Sequence, residues 1–250
     1  MTSSIVIPAR KLREMLAAVM PHAGDDDALP VLNAVQFEIR GGELFAVATD
    51  RYTIGVARCA IPGAKSVQPP WATANLMLAE AREMARLLSN SDVAALTFTD
   101  DLLEMDGGPG ARASWNLRAV EYPDWRSLMS NMLAGEPAEL PANYGLSPLH
   151  LAKFRPDEVD DRQYCRAALR MRLLERSDRK GVVLHSGERF PVFLVTRGDW
   201  FLGALMPTRI DPAEFGEPDP DPWAEWTALL PPAEQAPAED ADKPLATATK

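Results

Sequence analysis

Residues 29–61 read LPVLNAVQFEIRGGELFAVATDRYTIGVARCAI, and this stretch decides the fold class. Val35, Phe37 and Ile39 alternate with polar residues, which is the pattern of a strand with one buried face. A Gly-Gly pair then supplies a tight turn, and two further segments rich in β-forming residues follow it. The stretch therefore predicts three consecutive antiparallel strands.

An amphipathic helix precedes these strands, and the same order of elements recurs twice along the chain. In the first helix, apolar residues recur at helical spacing along one face: Leu12, Met15, Leu16 and Val19. The second copy covers residues 75–120 and the third covers residues 145–210, so the predicted helices begin near residues 8, 74 and 147. A period of about 70 residues predicts an α+β protein built from repeated units.

The third copy contains a strand that alternates between apolar and basic residues. Leu169, Met171 and Leu173 lie on one face in this pattern, and Arg170 and Arg172 lie on the other. The pattern therefore predicts a strand with its apolar and basic side chains on opposite faces.

Most of the acidic charge is confined to the last forty residues. The chain has a net charge of −10, and residues 211–250 hold ten acidic and two basic residues, a net of −8. This leaves 24 basic and 26 acidic residues in residues 1–210, and a nearly neutral body can still carry a basic face. The tail is rich in Pro and Ala and is predicted to be disordered. Its Trp223 and Trp226 indicate either a short docking helix or a loosely structured aromatic stretch.

The remaining composition gives no sign of a membrane segment, a cofactor or a metal site. No apolar run approaches the length of a membrane-spanning helix, so we expect a soluble, cytoplasmic protein. Cys59 and Cys165 lack the spacing of a metal site and are interpreted as buried thiols. His22, His150 and His185 are far apart without paired ligands and are interpreted as surface or helix-end residues.

Three further motifs agree with the opening stretch in order and spacing. They are PARKLREML at residues 8–16, VEYPDW at residues 120–125 and LMPTRI at residues 205–210. Together with residues 29–61, these motifs resemble the bacterial sliding clamp family, the β subunit of the replicative DNA polymerase. The resemblance covers residues 4–130 and 147–210.

The resemblance implies a ring-forming architecture. In the family, each domain consists of two β-α-β-β-β units, and twelve units close into a ring with helices lining the hole and antiparallel sheets outside. The implied domains are residues 1–128 as a complete clamp-like domain of two units and residues 129–210 as a partial domain of one unit, followed by the acidic tail 211–250. Four chains of three units would supply twelve units.

The resemblance also implies two binding surfaces. Basic residues on the exposed sides of the helices would contact duplex DNA without reading its sequence: Arg10, Lys11, Arg13, Arg82, Arg86, Lys153 and Arg155. Residues at the family's peptide-binding positions would form a partner pocket: Leu32, Thr49, Arg51, Tyr52, Thr53, Ile54, Met129, Ala204, Met206, Pro207 and Arg209. The family's usual TDGHRL is TDRYTI here, so we expect a different peptide preference.

Two functions remain open from the sequence. The first is a sliding-clamp-like processivity scaffold that encircles or lies along duplex DNA as a homo-oligomeric ring and recruits polymerase or repair proteins carrying a short clamp-binding motif. The second is a clamp-like adaptor or decoy that binds such peptides without encircling DNA. An α+β hydrolase or transferase is disfavoured, because the sequence offers no defensible pair of nucleophile and base.

Overall fold

The computed structural model of the protein describes residues 3–62, 73–118, 121–137, 139, 144–155, 170–175 and 191–209. All of these residues lie in one compact unit, Met1–Arg209. The predicted tail 211–250 lies outside the described residues, as do Cys165, Leu169 and His185. Among the described residues, no helix is both long and apolar enough to cross a membrane.

Strands outnumber helices in each part of the described chain. The helices are α1 (Ala9–Val19), α2 (Leu78–Leu87), α3 (Trp125–Leu133) and α4 (Pro148–Ala152). The strands of the first part are β1 (Ser3–Pro8), β2 (Ala34–Arg40), β3 (Glu43–Thr49), β4 (Thr53–Ala60), β5 (Thr73–Met77), β6 (Val93–Phe98), β7 (Leu102–Asp106) and β8 (Arg112–Asn116). Those of the second part are β9 (Glu136–Pro137), β10 (Tyr144–Gly145), β11 (Arg170–Glu175), β12 (Pro191–Arg197), β13 (Phe201–Leu205) and β14 (Thr208–Arg209).

The first two units exchange their opening strands. One sheet has the order β1-β6-β7-β8, and a larger sheet has the order β5-β2-β3-β4-β13-β12-β11-β9, with every neighbouring pair antiparallel. Strand β1 of the first unit therefore lies in the sheet of the second unit, and β5 of the second unit lies in the sheet of the first. The predicted α+β fold with β-α-β-β-β units and antiparallel sheets is confirmed, and the exchange interlocks the two units.

The apolar stripe predicted for the first helix faces the core. All four of its residues are buried, and they pack in one cluster with the inner faces of the flanking strands. A second core cluster lies around α3, where Trp125, Met129 and Met132 contact Leu174 and Val192. These two clusters hold helices on the sheets, since burial of apolar area is the main stabilising contribution.

The predicted Gly-Gly turn connects β2 to β3. Gly41 and Gly42 have φ angles of +62° and +80°, a left-handed conformation that glycine adopts without steric cost. The alternation predicted for β2 holds only in part, because Gln36 and Glu38 are also buried under neighbouring elements.

The strand predicted at residues 169–173 is present as β11 from Arg170, with Met171 and Leu173 on the face opposite Arg170 and Arg172. In β11, Leu174 is buried and Leu173 is only partly buried, whereas Met171 is 42% exposed. The two adjacent leucines lie on opposite faces of the sheet: Leu173 is opposite Phe193, which packs against the first core cluster, and Leu174 is opposite Val192 in the cluster around α3.

Helix α3 was not predicted from the sequence. Its N-cap is Asp124, whose carboxylate accepts hydrogen bonds from the backbone N–H of Ser127 at 3.1 Å and from its hydroxyl at 2.6 Å. These hydrogen bonds hold the pKa of Asp124 below its ordinary value. The proposed domain boundary between residues 128 and 129 falls inside this helix, and the division into domains stays a prediction.

Candidate peptide groove and nucleic-acid face

The turn between β3 and β4 is fixed by one aspartate. A carboxylate oxygen of Asp50 accepts hydrogen bonds from the backbone N–H groups of Tyr52 at 3.0 Å and Thr53 at 2.7 Å, and from the Thr53 hydroxyl at 2.9 Å. The hydroxyl of Thr49 donates to the carbonyl of Thr53 at 2.8 Å and closes the turn. Short polar residues stabilise turns by such local bonds, so the TDRYTI segment is rigid before any ligand arrives.

A salt bridge joins this turn to the segment after α4. The other carboxylate oxygen of Asp50 accepts a hydrogen bond from the ammonium group of Lys153, and both side chains are mostly buried. Burial favours the neutral carboxyl of Asp50, but the hydrogen bonds from Lys153 and Thr53 outweigh it and lower its pKa. The pair thus anchors two segments that lie 103 residues apart in the sequence.

The turn carries one strained residue. Arg51 has a φ of +80°, the only positive φ of a non-glycine residue among the described residues. An L-residue pays a steric cost in this region, whereas glycine, which the resemblance implied at this position, does not. Arg51 nevertheless keeps its guanidinium exposed, 4.0 Å from Asp26.

Strand β13 brings residues 204–206, the second segment predicted for the pocket, next to the turn between β3 and β4. Strand β13 pairs antiparallel with β4, which places Ala204 opposite Ile54. The backbone N–H of Met206 then donates to the carbonyl of Tyr52 at 2.9 Å. The two segments that the sequence placed in one pocket, about 150 residues apart, do meet in the structure.

Helix α3 forms the remaining wall. Arg126 fixes the helix on the sheet, because its guanidinium pairs with Glu38 at 2.9 Å and lies 4.5 Å from the centre of the Phe45 ring. Leu128 and Met132, one helical turn apart, face the turn between β3 and β4. The resulting open groove has a volume of about 110 Å³. Its lining residues are Thr49, Arg51, Tyr52, Thr53, Ile54, Leu128, Met132, Ala204 and Met206.

Three predicted pocket residues with described side chains do not line this groove. Leu32, Met129 and Pro207 are buried, and Met129 packs in the core cluster around α3. Arg209 lies on β14 opposite Tyr144, and its side chain is outside the described part of the chain. The prediction of Met129 failed by one residue, because neighbouring helical residues point about 100° apart.

Two histidines lie close to the groove. The ring of His150 on α4 stacks on Tyr52 with a centroid distance of 5.0 Å. His22 ends the 3-10 helix Met20–His22, which is the helix-end position of the two predicted alternatives, and it is fully buried with its ring 4.6 Å from that of Phe154. Gly55 allows this, since a Cβ there would lie 2.4 Å from the imidazole. Burial, followed by the nearby Lys153 charge, lowers the pKa of His22 to about 3, so the ring is neutral.

One carboxylate, that of Glu14, offsets part of the positive charge predicted on α1. Arg10 and Lys11 both pair with Glu14, at 3.5 Å and 2.8 Å. Arg13 is partly buried and donates to the carbonyl of Ser89 at 3.4 Å. Only part of the charge on this helix is therefore available to phosphates.

The cations predicted on α2 differ from those on α1. Arg82 and Arg86 are exposed, lie four residues apart on one face, and have no carboxylate within 4.0 Å among the described residues. Near α4, Arg155 is exposed, but Lys153 is held by Asp50. The pair on α2 is thus the clearest cationic surface of the seven predicted residues.

The chain matches one family model. Residues 6–124 match the DNA polymerase III beta subunit, central domain. This segment is therefore similar to that domain family. The match ends at Asp124, one residue before α3, and includes the turn that forms one wall of the groove.

Solved sliding clamps share the fold of the whole described chain. The clamp of Bacillus subtilis superposes with a TM-score of 0.52 at 11% identity, over 83% of this chain and 64% of that chain. The beta subunit of Pseudomonas aeruginosa gives 0.54 at 14% identity, over 82% and 66%. The clamp of Caulobacter crescentus gives 0.52 at 16% identity, over 84% and 66%. The chain has the sliding-clamp fold, and the matched region spans less than two thirds of each of these clamps.

Sequence reasoning missed the α3 wall of this clamp-like groove. Leu128 and Met132 have the four-residue spacing of one helical face, which was the available signal. The Asp50–Lys153 pair had no such signal, because it depends on long-range packing.

Proposed function

We propose that this clamp-fold protein is a non-enzymatic scaffold that recruits other proteins through the groove beside the TDRYTI turn. The observation that carries the proposal is the convergence of the turn, the end of β13 and α3 on one open apolar slot. The volume of about 110 Å³ is small beside the roughly 300–1,000 Å³ of typical small-molecule sites, and it suits one or two side chains of a peptide.

The floor and walls of the groove select an apolar anchor. Ile54, Leu128, Met132 and Met206 offer branched and flexible apolar side chains, which adapt to a leucine or phenylalanine. Arg51 adds an exposed cation at the edge of the same groove, so a peptide with an acidic residue next to its anchor is favoured. The expected partners are DNA polymerases or repair proteins that carry a short motif of this kind.

Replacing Met206 by Asp tests the groove directly. A carboxylate in the slot must lose its hydration when an apolar anchor enters, so the affinity for a leucine- or phenylalanine-anchored peptide should fall by about a hundredfold. Fluorescence anisotropy with a labelled peptide measures this change. The matched control is Met171→Asp, because Met171 is 42% exposed on β11 and does not line the groove. Equal affinity of the folded Met206→Asp protein and the parent would exclude the groove as the binding site.

The same proposal includes electrostatic contact with duplex DNA. Arg82 and Arg86 present two exposed cations on one face of α2, where phosphates can approach without any reading of bases. Assembly of four three-unit chains into a ring would place several such helices around DNA. In this form the protein acts as a processivity scaffold.

An adaptor that binds peptides without encircling DNA is the second candidate. The observation in its favour is that Arg10, Lys11 and Lys153 already have carboxylate partners, which leaves fewer free cations than the sequence indicated. Retention on circular DNA decides between the two. A ring should remain on a closed circle at moderate salt and slide off once the circle is cut, whereas an adaptor should show no difference between the two DNAs.

A further inference from the structure

Strands β2, β6 and β11 occupy equivalent places, but their outer neighbours cover them to different extents. Each is the first of three consecutive strands in its unit. Strand β5 pairs with β2 over five residues, and β1 pairs with β6 over six. In the third unit, β9 pairs with β11 over two residues, Leu174 and Glu175. The described part of the chain thus has no strand on the outer side of residues 170–173.

Two prolines show which backbone groups of β11 point outward. Glu175 lies opposite Pro191 of β12, which has no N–H to donate, so the even-numbered residues of β11 exchange the hydrogen bonds with β12. On the outer side, Leu174 lies opposite Pro137 of β9, which cannot donate either, so β9 bonds to the odd-numbered residues. Met171 therefore directs its N–H and C=O groups away from the sheet, where the described residues provide no strand to receive them.

The two faces of this open edge differ in chemical character. Arg170 and Arg172 are exposed on one face, and the residues opposite them on β12 are Thr196 and Leu194, which carry no charge. No carboxylate of a described residue lies within 4.0 Å of either guanidinium. On the other face, Met171 is 42% exposed. An added strand would meet two cations on one face and an uncovered apolar side chain on the other.

The helix side of the third unit is also open. Helix α1 buries six of its eleven residues, whereas α4 buries none of its five, and Leu149 is 79% exposed. Met171 lies on this side of β11, because Leu173 on the same face is opposite Phe193, which packs against the first core cluster. Apolar side chains of an added strand would therefore find apolar neighbours on the helix side.

We propose that the outer edge of β11 at residues 170–173 binds an extended segment of another protein in which acidic residues alternate with apolar ones. In an antiparallel register, the acidic side chains lie opposite Arg170 and Arg172, and the apolar ones lie opposite Met171 and Leu173. Backbone hydrogen bonds to the open edge supply affinity, and the alternating side chains supply selectivity. No residue of β11 lines the groove, so this surface would let the scaffold hold a second partner.

Charge reversal on one face of β11 tests the selectivity. The probe is a fluorescein-labelled peptide in which Glu alternates with Val, and the comparison peptide has Lys in place of each Glu. Fluorescence anisotropy with the full chain should show roughly tenfold tighter binding of the Glu peptide. The double substitution Arg170→Glu and Arg172→Glu should reverse this preference. The matched control is Arg40→Glu with Arg118→Glu, the same charge change at two exposed positions outside the third unit.

The backbone contact is tested separately at Met171. Proline at this position removes the outward N–H without removing a hydrogen bond to β12, so the sheet should remain intact. Met171→Pro should therefore bind the Glu peptide on the order of tenfold more weakly than Met171→Val, which keeps the N–H. In the parent protein, the amide of residue 171 should exchange rapidly with solvent and gain protection when the Glu peptide is added.

Several outcomes would overturn the proposal. They are equal binding of the two peptides, a preference that survives charge reversal, and equal affinity of the two Met171 variants. Protection of the residue 171 amide in the free protein would also do so, because another segment of the chain would then occupy the edge. Loss of duplex DNA binding without loss of peptide binding in the Arg170 and Arg172 variant would assign these arginines to nucleic acid instead. The Met206→Asp protein keeps the open edge, so failure of the groove proposal is seen separately.

Discussion

The groove and the cationic helices were inferred from the same resemblance, but their polar side chains differ in how many bonding partners they have in the structure. In the groove, Asp50 makes four hydrogen bonds, and these bind residues of the turn and a lysine far along the chain. On the helices, the cations differ in whether a carboxylate lies nearby. Glu14 pairs with Arg10 and Lys11, whereas Arg82 and Arg86 have no carboxylate partner among the described residues.

The difference teaches that a binding surface cannot be carried over by charge alone. Lys153 has the charge and the position expected of a DNA contact, but it stabilises the groove instead. Arg82 has the same charge and no internal role in the described part of the chain. Substitutions in the two regions should therefore have opposite patterns of effect on peptide binding and on DNA binding.

The largest effect is expected from Lys153→Met. Loss of the ammonium group leaves Asp50 mostly buried without its counterion, so we expect about 2 kcal/mol lower stability and roughly tenfold weaker peptide binding. The dependence of DNA binding on salt should not change, since this charge is already used inside the protein. Urea unfolding and salt titrations measure the two effects. A clear fall in the slope of DNA affinity against salt concentration would mean that Lys153 contacts DNA.

An intermediate effect is expected from the double substitution Arg82→Ala and Arg86→Ala. If both side chains meet phosphates, the slope of log K against log salt should fall by about 1.8, while peptide affinity stays the same. The control is the double substitution Arg10→Ala and Lys11→Ala, which should lower the slope less, because Glu14 already offsets these charges. Equal slopes for the two double variants would mean that a nearby carboxylate does not reduce the contribution of a cation to DNA binding.

The smallest effect is expected from Arg51→Gly, and its sign is positive. Glycine relieves the strain at φ +80° but loses more entropy on folding, so we expect a net gain of about 0.5–1 kcal/mol in urea unfolding. The preference for peptides with an acidic residue beside the anchor should decline at the same time. Lower stability of the glycine variant would show that the Arg51 side chain contributes contacts that outweigh the strain.

Local patterns predicted much of the fold. The alternation in residues 35–39, the Gly-Gly turn and the apolar stripe of α1 each depend on near neighbours, and each corresponds to an element in the structure. The convergence of residues 49–54 with residues 204–206 was predicted from the resemblance alone. It is physically realised by the pairing of β4 with β13.

The errors share a different cause. Met129 was chosen in place of Leu128 and Met132, because the face of a helix that borders a groove is fixed by what packs on the helix. His22 lies at a helix end, which was one of its two predicted positions, but its burial by Phe154 and Gly55 from distant parts of the chain was not predicted. Such contacts leave no signal at the residue itself.

Pro8 limits how far this molecule can grow by sheet addition. A sheet with two open edges can add copies at both sides without end, which is the geometry of a filament. In β1, Ala9 donates to the carbonyl of Asp92, so the backbone of Pro8 points away from β6, and Pro8 has no N–H to offer a further strand. The proline thus removes one of the hydrogen bonds through which a further strand could extend this edge of the sheet.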